Sequence, residues 1–228
     1  TDAGSIYFVD ATTGALANRL DGQSANEGLG SFSNTTVQQF GANLYVSSRL
    51  ADAGAVADAG RAIVATQAGA IVGQLFGNNA NEQLGSFFQT VGSNIWVFAP
   101  LHNNGGLTAA GAIFSIANQD LGGTIVRNSL FGSAAGDNLG AHGADFVSST
   151  TRFVRVPLAD VAGMSDAGAA ILVNDSLQEI GRTTGTSANE QFSAQSFTSL
   201  SNGNFVFPSR LADVNGLVDA GVVKLVSR

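Results

Sequence analysis

Short apolar runs recur along the chain, and each run is flanked by glycine-rich polar turns. Five of these runs directly follow an Ala-Gly pair, whose glycine stands at position 4, 60, 111, 168 or 221. The runs are rich in β-branched residues and only four or five residues long, which favours β-strands over helices. They occupy residues 5–9, 62–65, 112–116, 170–173 and 222–226. The pattern therefore predicts an all-β protein.

Each Ala-Gly pair opens a repeat in which further elements follow in a fixed order. A second strand ends at a glycine, a turn resembling Ala-Asn-Glu-x-Leu-Gly comes next, and two more strands close the repeat. The second strands end at Gly22, Gly77, Gly132 and Gly185, and the third strands carry Phe32, Phe87, Phe146 and Phe197. Four short antiparallel strands in about fifty residues are typical of one propeller blade.

The sequence thus predicts an all-β, propeller-like array of four four-stranded repeats plus one extra C-terminal strand. We interpret 1–228 as a single repeat array, because neither a proline-rich linker nor a charge run separates the copies. The repeats lie at approximately 3–58, 59–109, 110–166 and 167–219, and a partial repeat occupies 220–228. A scaffold of this kind acts through a surface that several copies form together.

In two copies a Leu-Gly pair is followed by an X-Pro corner and then by Gly-Ala-Ile-Phe or a similar run. These pairs are Leu84-Gly85 with Ala99-Pro100, and Leu139-Gly140 with Val156-Pro157. The pattern resembles the FG-GAP repeat of integrin-α-like β-propellers, as in degenerate repeat arrays of large bacterial surface proteins, over essentially the whole chain. The resemblance implies an extracellular or cell-surface location and an adhesive role. It also implies that each blade combines the last two strands of one copy with the first two of the next.

Many FG-GAP blades carry a calcium loop with alternating aspartates between their inner strands. The turns at that place here are short, and they read Gly41-Ala42-Asn43 and Asn202-Gly203-Asn204. The resemblance therefore does not imply calcium at these turns, and no cofactor is expected.

Charge and composition exclude several classes of partner. The net charge is −7, with ten basic residues against seventeen acidic ones, and Lys224 is the only lysine. Nucleic acid is not expected as a partner, because no basic cluster is present to neutralise phosphates. No apolar run approaches the roughly 20 residues that a membrane-spanning helix needs, so membrane insertion is not expected. The absence of cysteine excludes disulfides and thiolate chemistry.

One carboxylate recurs in every Ala-Asn-Glu-like turn. These residues are Glu27, Glu82, Asp137 and Glu190. Equivalent positions in a ring of blades point to equivalent places, so they are the first candidates for chemistry. A carboxylate at a tight turn can also accept backbone N–H bonds and fix the bend, which every copy of a repeat needs. We favour this structural-turn role.

A second recurring set pairs two acids six residues apart. The pairs are Asp52 with Asp58, Asp160 with Asp166, and Asp213 with Asp219, whereas the second copy has Asn103 and Ala109. Their carboxylate oxygens are the candidate metal ligands, and calcium is the cation that such ligands would bind. Calcium takes six to eight oxygens, however, and each loop offers few. Turn formation by aspartate is the simpler interpretation.

No arrangement of residues points to catalysis. His102 and His142 stand at non-equivalent repeat positions, and no serine lies in a Gly-x-Ser-x-Gly context. We therefore predict no catalytic residue and no enzyme activity. The expected function is an extracellular structural or adhesive interaction module, with other protein chains or further repeats of the same parent as partners. The alternative is a carbohydrate-binding, lectin-like propeller with glycans as partners, and an enzyme with a site over the central channel ranks last.

The predicted array has one strand more than the sixteen that a closed ring of four four-stranded blades would contain. The strand at 222–226 repeats the role of the strand at 5–9, and both compete for one sheet edge. Either the N-terminal hairpin or the C-terminal strand can complete the last blade. We predict that the surplus strand pairs with another chain or with a neighbouring repeat, because exposed sheet edges are rarely left open.

Overall fold

The computed structural model describes residues 2–31, 37–117 and 126–227, and in this part of the chain the only regular elements are β-strands. The described residues form no helix that is long and apolar enough to cross a membrane. Their seventeen strands are β1 (Ser5–Val9), β2 (Leu16–Asp21), β3 (Val37–Phe40), β4 (Asn43–Ser48), β5 (Arg61–Thr66), β6 (Ile71–Phe76), β7 (Phe87–Val91), β8 (Asn94–Ala99), β9 (Ala112–Ala117), β10 (Val126–Phe131), β11 (Ala144–Phe146), β12 (Thr151–Val156), β13 (Ala169–Asn174), β14 (Glu179–Thr184), β15 (Thr198–Ser199), β16 (Phe205–Ser209) and β17 (Val222–Val226).

Sheet pairing follows the offset expected for propeller blades. Blade 1 has the order β3-β4-β5-β6, blade 2 β7-β8-β9-β10 and blade 3 β11-β12-β13-β14, and all neighbours are antiparallel. Each blade thus joins the last two strands of one copy to the first two of the next. The N-terminal hairpin pairs β1 with β2, and the C-terminal sheet has the order β15-β16-β17. The predicted all-β, propeller-like array is confirmed.

The core lies between neighbouring sheets, because the first strands of the second, third and fourth copies, β5, β9 and β13, are buried on both of their faces. Ile63 on β5 packs with Phe8 of the N-terminal hairpin, whereas Val64, the next residue, packs with Ile95 of blade 2. Successive residues of a strand point to opposite faces, so a strand between two neighbours needs apolar residues at every position. This accounts for the continuous apolar runs at the start of the second, third and fourth copies.

Third strands are shorter than expected in the last two copies. β11 has three residues and β15 has two, whereas β7 has five. In the third copy the hydroxyls of Ser148 and Thr151 lie 2.6 Å apart and form a turn, since serine and threonine compete with the strand ladder through local hydrogen bonds. Phe146 lies at the end of β11 and Phe197 just before β15, while Phe32 lies outside the described residues.

The C-terminal strand, rather than the N-terminal hairpin, takes the place beside β16. β17 pairs with β16 from Val222↔Ser209 to Val226↔Phe205, and Lys224 anchors it. Within the described part of the chain β1 pairs only with β2, and β17 only with β16. Each terminal strand therefore has one paired edge and one open edge.

Candidate functional site: carboxylate turns and corner loops

The Ala-Asn-Glu-like turns, which we call carboxylate turns, occupy residues 25–30, 80–85, 135–140 and 188–193. Their backbone enters the left-handed region three times, as at Asn81 (φ 59), Gln83 (φ 55) and Gly85 (φ 83) in the second copy. Asparagine and glycine tolerate this region better than other residues, which explains the Asn or Gly that precedes every carboxylate. The last position is glycine in three copies and Ser193 (φ 70) in the fourth.

One oxygen of each turn carboxylate closes the turn itself. Oε2 of Glu82 accepts the backbone N–H groups of Asn78 at 2.7 Å and of Asn79 at 2.9 Å. The same pair of bonds recurs in every copy at 2.5–3.3 Å, with Glu27, Asp137 and Glu190 as acceptors. All four side chains are buried. These contacts are the ones that a structural-turn role requires.

The other oxygen faces the following blade, and its partner differs from copy to copy. Oε1 of Glu27 lies 3.7 Å from Nη1 of Arg61, and Oε1 of Glu82 lies 2.8 Å from Nδ1 of His102. Oδ1 of Asp137 accepts the backbone N–H of Asp160 at 3.2 Å. The carboxylate turn therefore connects the sheet that precedes it to the following one in each case.

Glu190 has the most extensive set of partners. Its Oε1 accepts bonds from the Ser209 hydroxyl and from the Lys224 ammonium, both at 2.7 Å. Burial disfavours the charged form of Glu190, but the bonds from Lys224, the Thr186 N–H and Ser209 outweigh it and lower the pKa of Glu190 from 4.5 to about 2. The ammonium of Lys224 also lies 4.6 Å from the ring centroid of Phe192, within range of a cation–π contact.

Glu82 is held ionised in a similar way. Burial acts to raise its pKa, but the bond to His102 and the two backbone N–H groups prevail, so that its pKa lies below the ordinary value of 4.5. His102 is buried between this carboxylate and the rings of Phe114 and Phe131, with centroids at 5.5 and 5.4 Å. The pair stabilises the junction between blade 1 and blade 2.

The six-residue acid pairs form what we call corner loops, at residues 52–58, 103–109, 160–166 and 213–219. In each loop the first side chain accepts the backbone N–H of the last residue, as Asp52 does from Asp58 at 3.0 Å. Asn103 makes the same bond to Ala109 at 2.9 Å with its amide oxygen. The last residue of each loop has a φ of 49–52°. The first acid is thus a cap of the loop, and the side chain of the second is not needed for that bond.

The acid pairs are not gathered into a metal-binding cluster. Among residues 2–31, 37–117 and 126–227, no three His, Asp or Glu side chains are placed to hold one cation. The candidate ligands Asp52, Asp160 and Asp213 each commit one oxygen to the loop backbone, and Asp58, Asp166 and Asp219 supply the bonded N–H groups. This geometry fits the turn interpretation better than a calcium site, which needs six or more converging oxygens.

The sequence did not predict that His102 and Lys224 would bind turn carboxylates. His102 occupies the repeat position of Ala51, Ala159 and Ala212, and Lys224 occupies that of Ile63. A single large polar residue at a position that is small or apolar in the other copies was the available signal. Such a residue needs a buried polar partner, and the repeated carboxylates are the nearest kind.

No family model matches the chain, and no curated protein matches it. One solved structure that is similar to this chain is that of a protein of unknown function from Bacteroides caccae, determined at 1.35 Å resolution. The two are 13% identical, with a TM-score of 0.39, and the alignment covers 86% of this chain and 61% of that one. The present chain therefore spans less than two thirds of that protein's length. The FG-GAP resemblance stays a prediction.

Proposed function

We propose that the chain is a structural or adhesive interaction module that assembles with other protein chains, or with further repeats, through the two ends of its array. The observation that carries this proposal is the exposure, on the two terminal strands, of Tyr7, Val9, Val223 and Leu225, whose repeat equivalents are buried between blades. An extracellular or cell-surface setting is part of the proposal and rests on the FG-GAP resemblance alone.

The N-terminal face consists of Tyr7, Val9 and Leu16 on the outer side of the hairpin. Tyr7 is 58% exposed, although it stands at the repeat position of Ile63, which is fully buried against the neighbouring sheet. Val9 pairs with Leu16 across the hairpin, and both are more than half exposed. In every complete blade this side is the one that a preceding sheet covers.

The C-terminal face consists of Val223 and Leu225 on β17. They are 66% and 65% exposed, although they stand at the repeat positions of Ala62 and Val64, which are buried against blade 2. This side of a blade is the one that a following sheet covers. The N-terminal face of one copy and the C-terminal face of another are therefore complementary, and their contact would repeat the packing found between blades.

The proposal predicts concentration-dependent self-association through these faces. Sedimentation equilibrium of the 228-residue chain should show a mass that rises with concentration. Replacing both Val223 and Leu225 by serine should leave the chain monomeric, because it removes the apolar area that drives the contact. Phe146→Ser is the control, since this side chain is also exposed but lies on β11, away from both ends. A monomer at all concentrations, unchanged by the variants, would refute self-assembly.

The lectin alternative receives less support from the aromatic residues. Phe87, Phe146 and Phe197 lie on or next to the third strand of successive copies, but Phe87 stacks on Phe98 with a centroid distance of 4.3 Å and Phe197 packs on Phe153. Only Phe146 of these three is largely exposed. A sugar site repeated in each blade would present the same ring in each copy.

A further inference from the structure

The backbone around the Ala-Gly pair of each complete copy accepts hydrogen bonds from the carboxylate turn that follows it in the chain. In the second copy four consecutive carbonyls, from residue 57 to residue 60, accept backbone N–H groups of the following strand end and turn. The donors are Asn81 to Ala57 at 2.9 Å, Gln83 to Asp58 at 3.2 Å, Leu84 to Ala59 at 3.0 Å and Gly77 to Gly60 at 3.0 Å. Four bonds of the same pattern recur in the third and fourth copies at 2.8–3.1 Å.

The contact at this place is too close for any side chain. A Cβ on Gly60 would lie 2.3 Å from the backbone of Leu84, and Gly111 and Gly168 are in the same situation at 2.3 and 2.4 Å. The Ala-Gly glycine is therefore needed because another backbone passes over it.

The partial copy at 220–228 carries the same receiving surface in an open form. Ala220 is exposed, whereas Ala59, Ala110 and Ala167 are completely buried. A Cβ on Gly221 would find no atom closer than 3.5 Å outside its chain neighbours. Among the described residues, no backbone N–H outside the strand ladders donates to the carbonyls of residues 218–221.

A strand position is open beside the same surface. The outer edge of β17 adjoins a cavity of about 210 Å³ lined by Leu172, Ile180, Phe205 and Val226. Ile180 is 54% exposed, whereas Val72, at the same place on blade 1, packs in the core against the four-stranded blade 2. The cavity thus lies where the fourth strand of a complete blade would cover blade 3.

We propose that the C-terminal end is an acceptor for a segment that carries the strand-and-turn pattern of this repeat, as residues 71–85 do. This inference rests on the proposed function and names the partner of the C-terminal end. The segment adds a fourth strand to the open edge of β17 and places an apolar side chain against Ile180 and Val226. Its turn then donates four N–H groups to the carbonyls of residues 218–221. The acceptor is continuous with the interface between blade 3 and the C-terminal sheet, which fixes the register and orientation of the added strand.

The test is the binding of a fluorescent synthetic peptide with the sequence of residues 71–85, followed by anisotropy. We expect saturable binding to the full chain, weakened at least about tenfold by Ile180→Asp, because a charge would take the place of an apolar contact with the added strand. Val37→Asp, a similarly exposed strand position on β3 of blade 1, should leave binding unchanged. A peptide with Gly77→Val should not bind. In the second copy a Cβ at Gly77 would lie 2.1 Å from the carbonyl oxygen of Ala59, and Ala220 is the equivalent residue of the acceptor.

A tethered version guards against weak binding of a free peptide. Residue 228 corresponds to Gln67 of the second copy, so residues 68–85 can be appended directly after Arg228. The tether raises the effective concentration to the millimolar range. We expect a higher melting temperature and slower amide exchange in β17, both abolished by Gly77→Val in the appended segment. Absence of binding together with no effect of the tether would overturn the proposal. Self-association without peptide binding would reject this acceptor and leave the proposed function standing, whereas peptide binding by a strictly monomeric chain would support the acceptor and reject self-assembly.

Discussion

Glu190 gives the sharpest prediction about what holds the array together. The change is Glu190→Gln, which keeps the shape of the side chain and removes its charge. In the native protein this carboxylate accepts the Lys224 ammonium, the Ser209 hydroxyl and the N–H groups that close its turn. The glutamine amide nitrogen cannot accept these bonds, so Lys224 would lose its only close anionic partner within the described residues.

The magnitude follows from the pKa of Glu190. Its fall from 4.5 to about 2 corresponds to about 3 kcal/mol of stabilisation at neutral pH, because each pKa unit is worth about 1.4 kcal/mol. The folded pKa lies below the unfolded one, so this stability is fully present above about pH 4.5 and is lost as the pH falls towards 2. At pH 2.5 about 1 kcal/mol of it should remain.

The assay is urea unfolding of the wild type and Glu190→Gln at pH 7 and at several values down to pH 2.5. The free energies of unfolding should differ by about 3 kcal/mol at pH 7 and converge as the pH falls. Glu179→Gln is the matched control, because the pair of Glu179 with Arg182 is more than one third exposed and should contribute under about 1 kcal/mol. A difference that stays constant between pH 7 and 2.5 would show that the charge of Glu190 does not stabilise the fold.

Three further outcomes are expected. In urea titrations, Asp160→Asn should change the unfolding free energy by less than about 0.5 kcal/mol, because Asn103 already caps the equivalent loop with an amide. Asp160→Ala should lower it by about 1 kcal/mol. Equal losses in the two variants would contradict the capping role. Gly85→Val should lower the melting temperature more than Gly54→Val does, since a Cβ at Gly85 meets backbone at 3.0 Å whereas Gly54 faces open space at a similarly positive φ; equal effects would reject tight packing. EDTA should leave the melting curve unchanged, and a calcium-reversible fall in stability would promote the acid pairs to ligands.

The sequence predicted the strands because short runs of β-branched residues between glycines are recognisable in one copy and recur in five. The period and the resemblance also led to the blade offset. The sequence could not show whether β1 or β17 pairs with β16, since the two strands have similar apolar patterns. In the structure β17 carries Lys224, which binds Glu190, at the repeat position where β1 has Tyr7.

The candidate site was predictable only in part. The position of each turn carboxylate follows from the Ala-Asn-Glu pattern, because the bonds that close the turn come from residues three and four positions away. The second oxygen of Glu82 contacts His102, twenty residues on and in the next blade, and such a contact is set by the packing of blades. One sequence indicates such a contact only through a polar residue, here His102, at a repeat position that is apolar in the other copies.

Disulfide trapping tests the central claim, assembly through the two open ends, most directly. The chain contains no cysteine, so Tyr7→Cys and Leu225→Cys each place one thiol, at opposite ends of the array. Under mild oxidation, a mixture of the two variants should form the mixed disulfide dimer much faster than either variant forms a homodimer, because head-to-tail contact brings the two substituted positions together. Phe146→Cys serves as the exposed reference. Mixed dimers that form no faster than those with Phe146→Cys would contradict the assembly of this protein through its terminal faces.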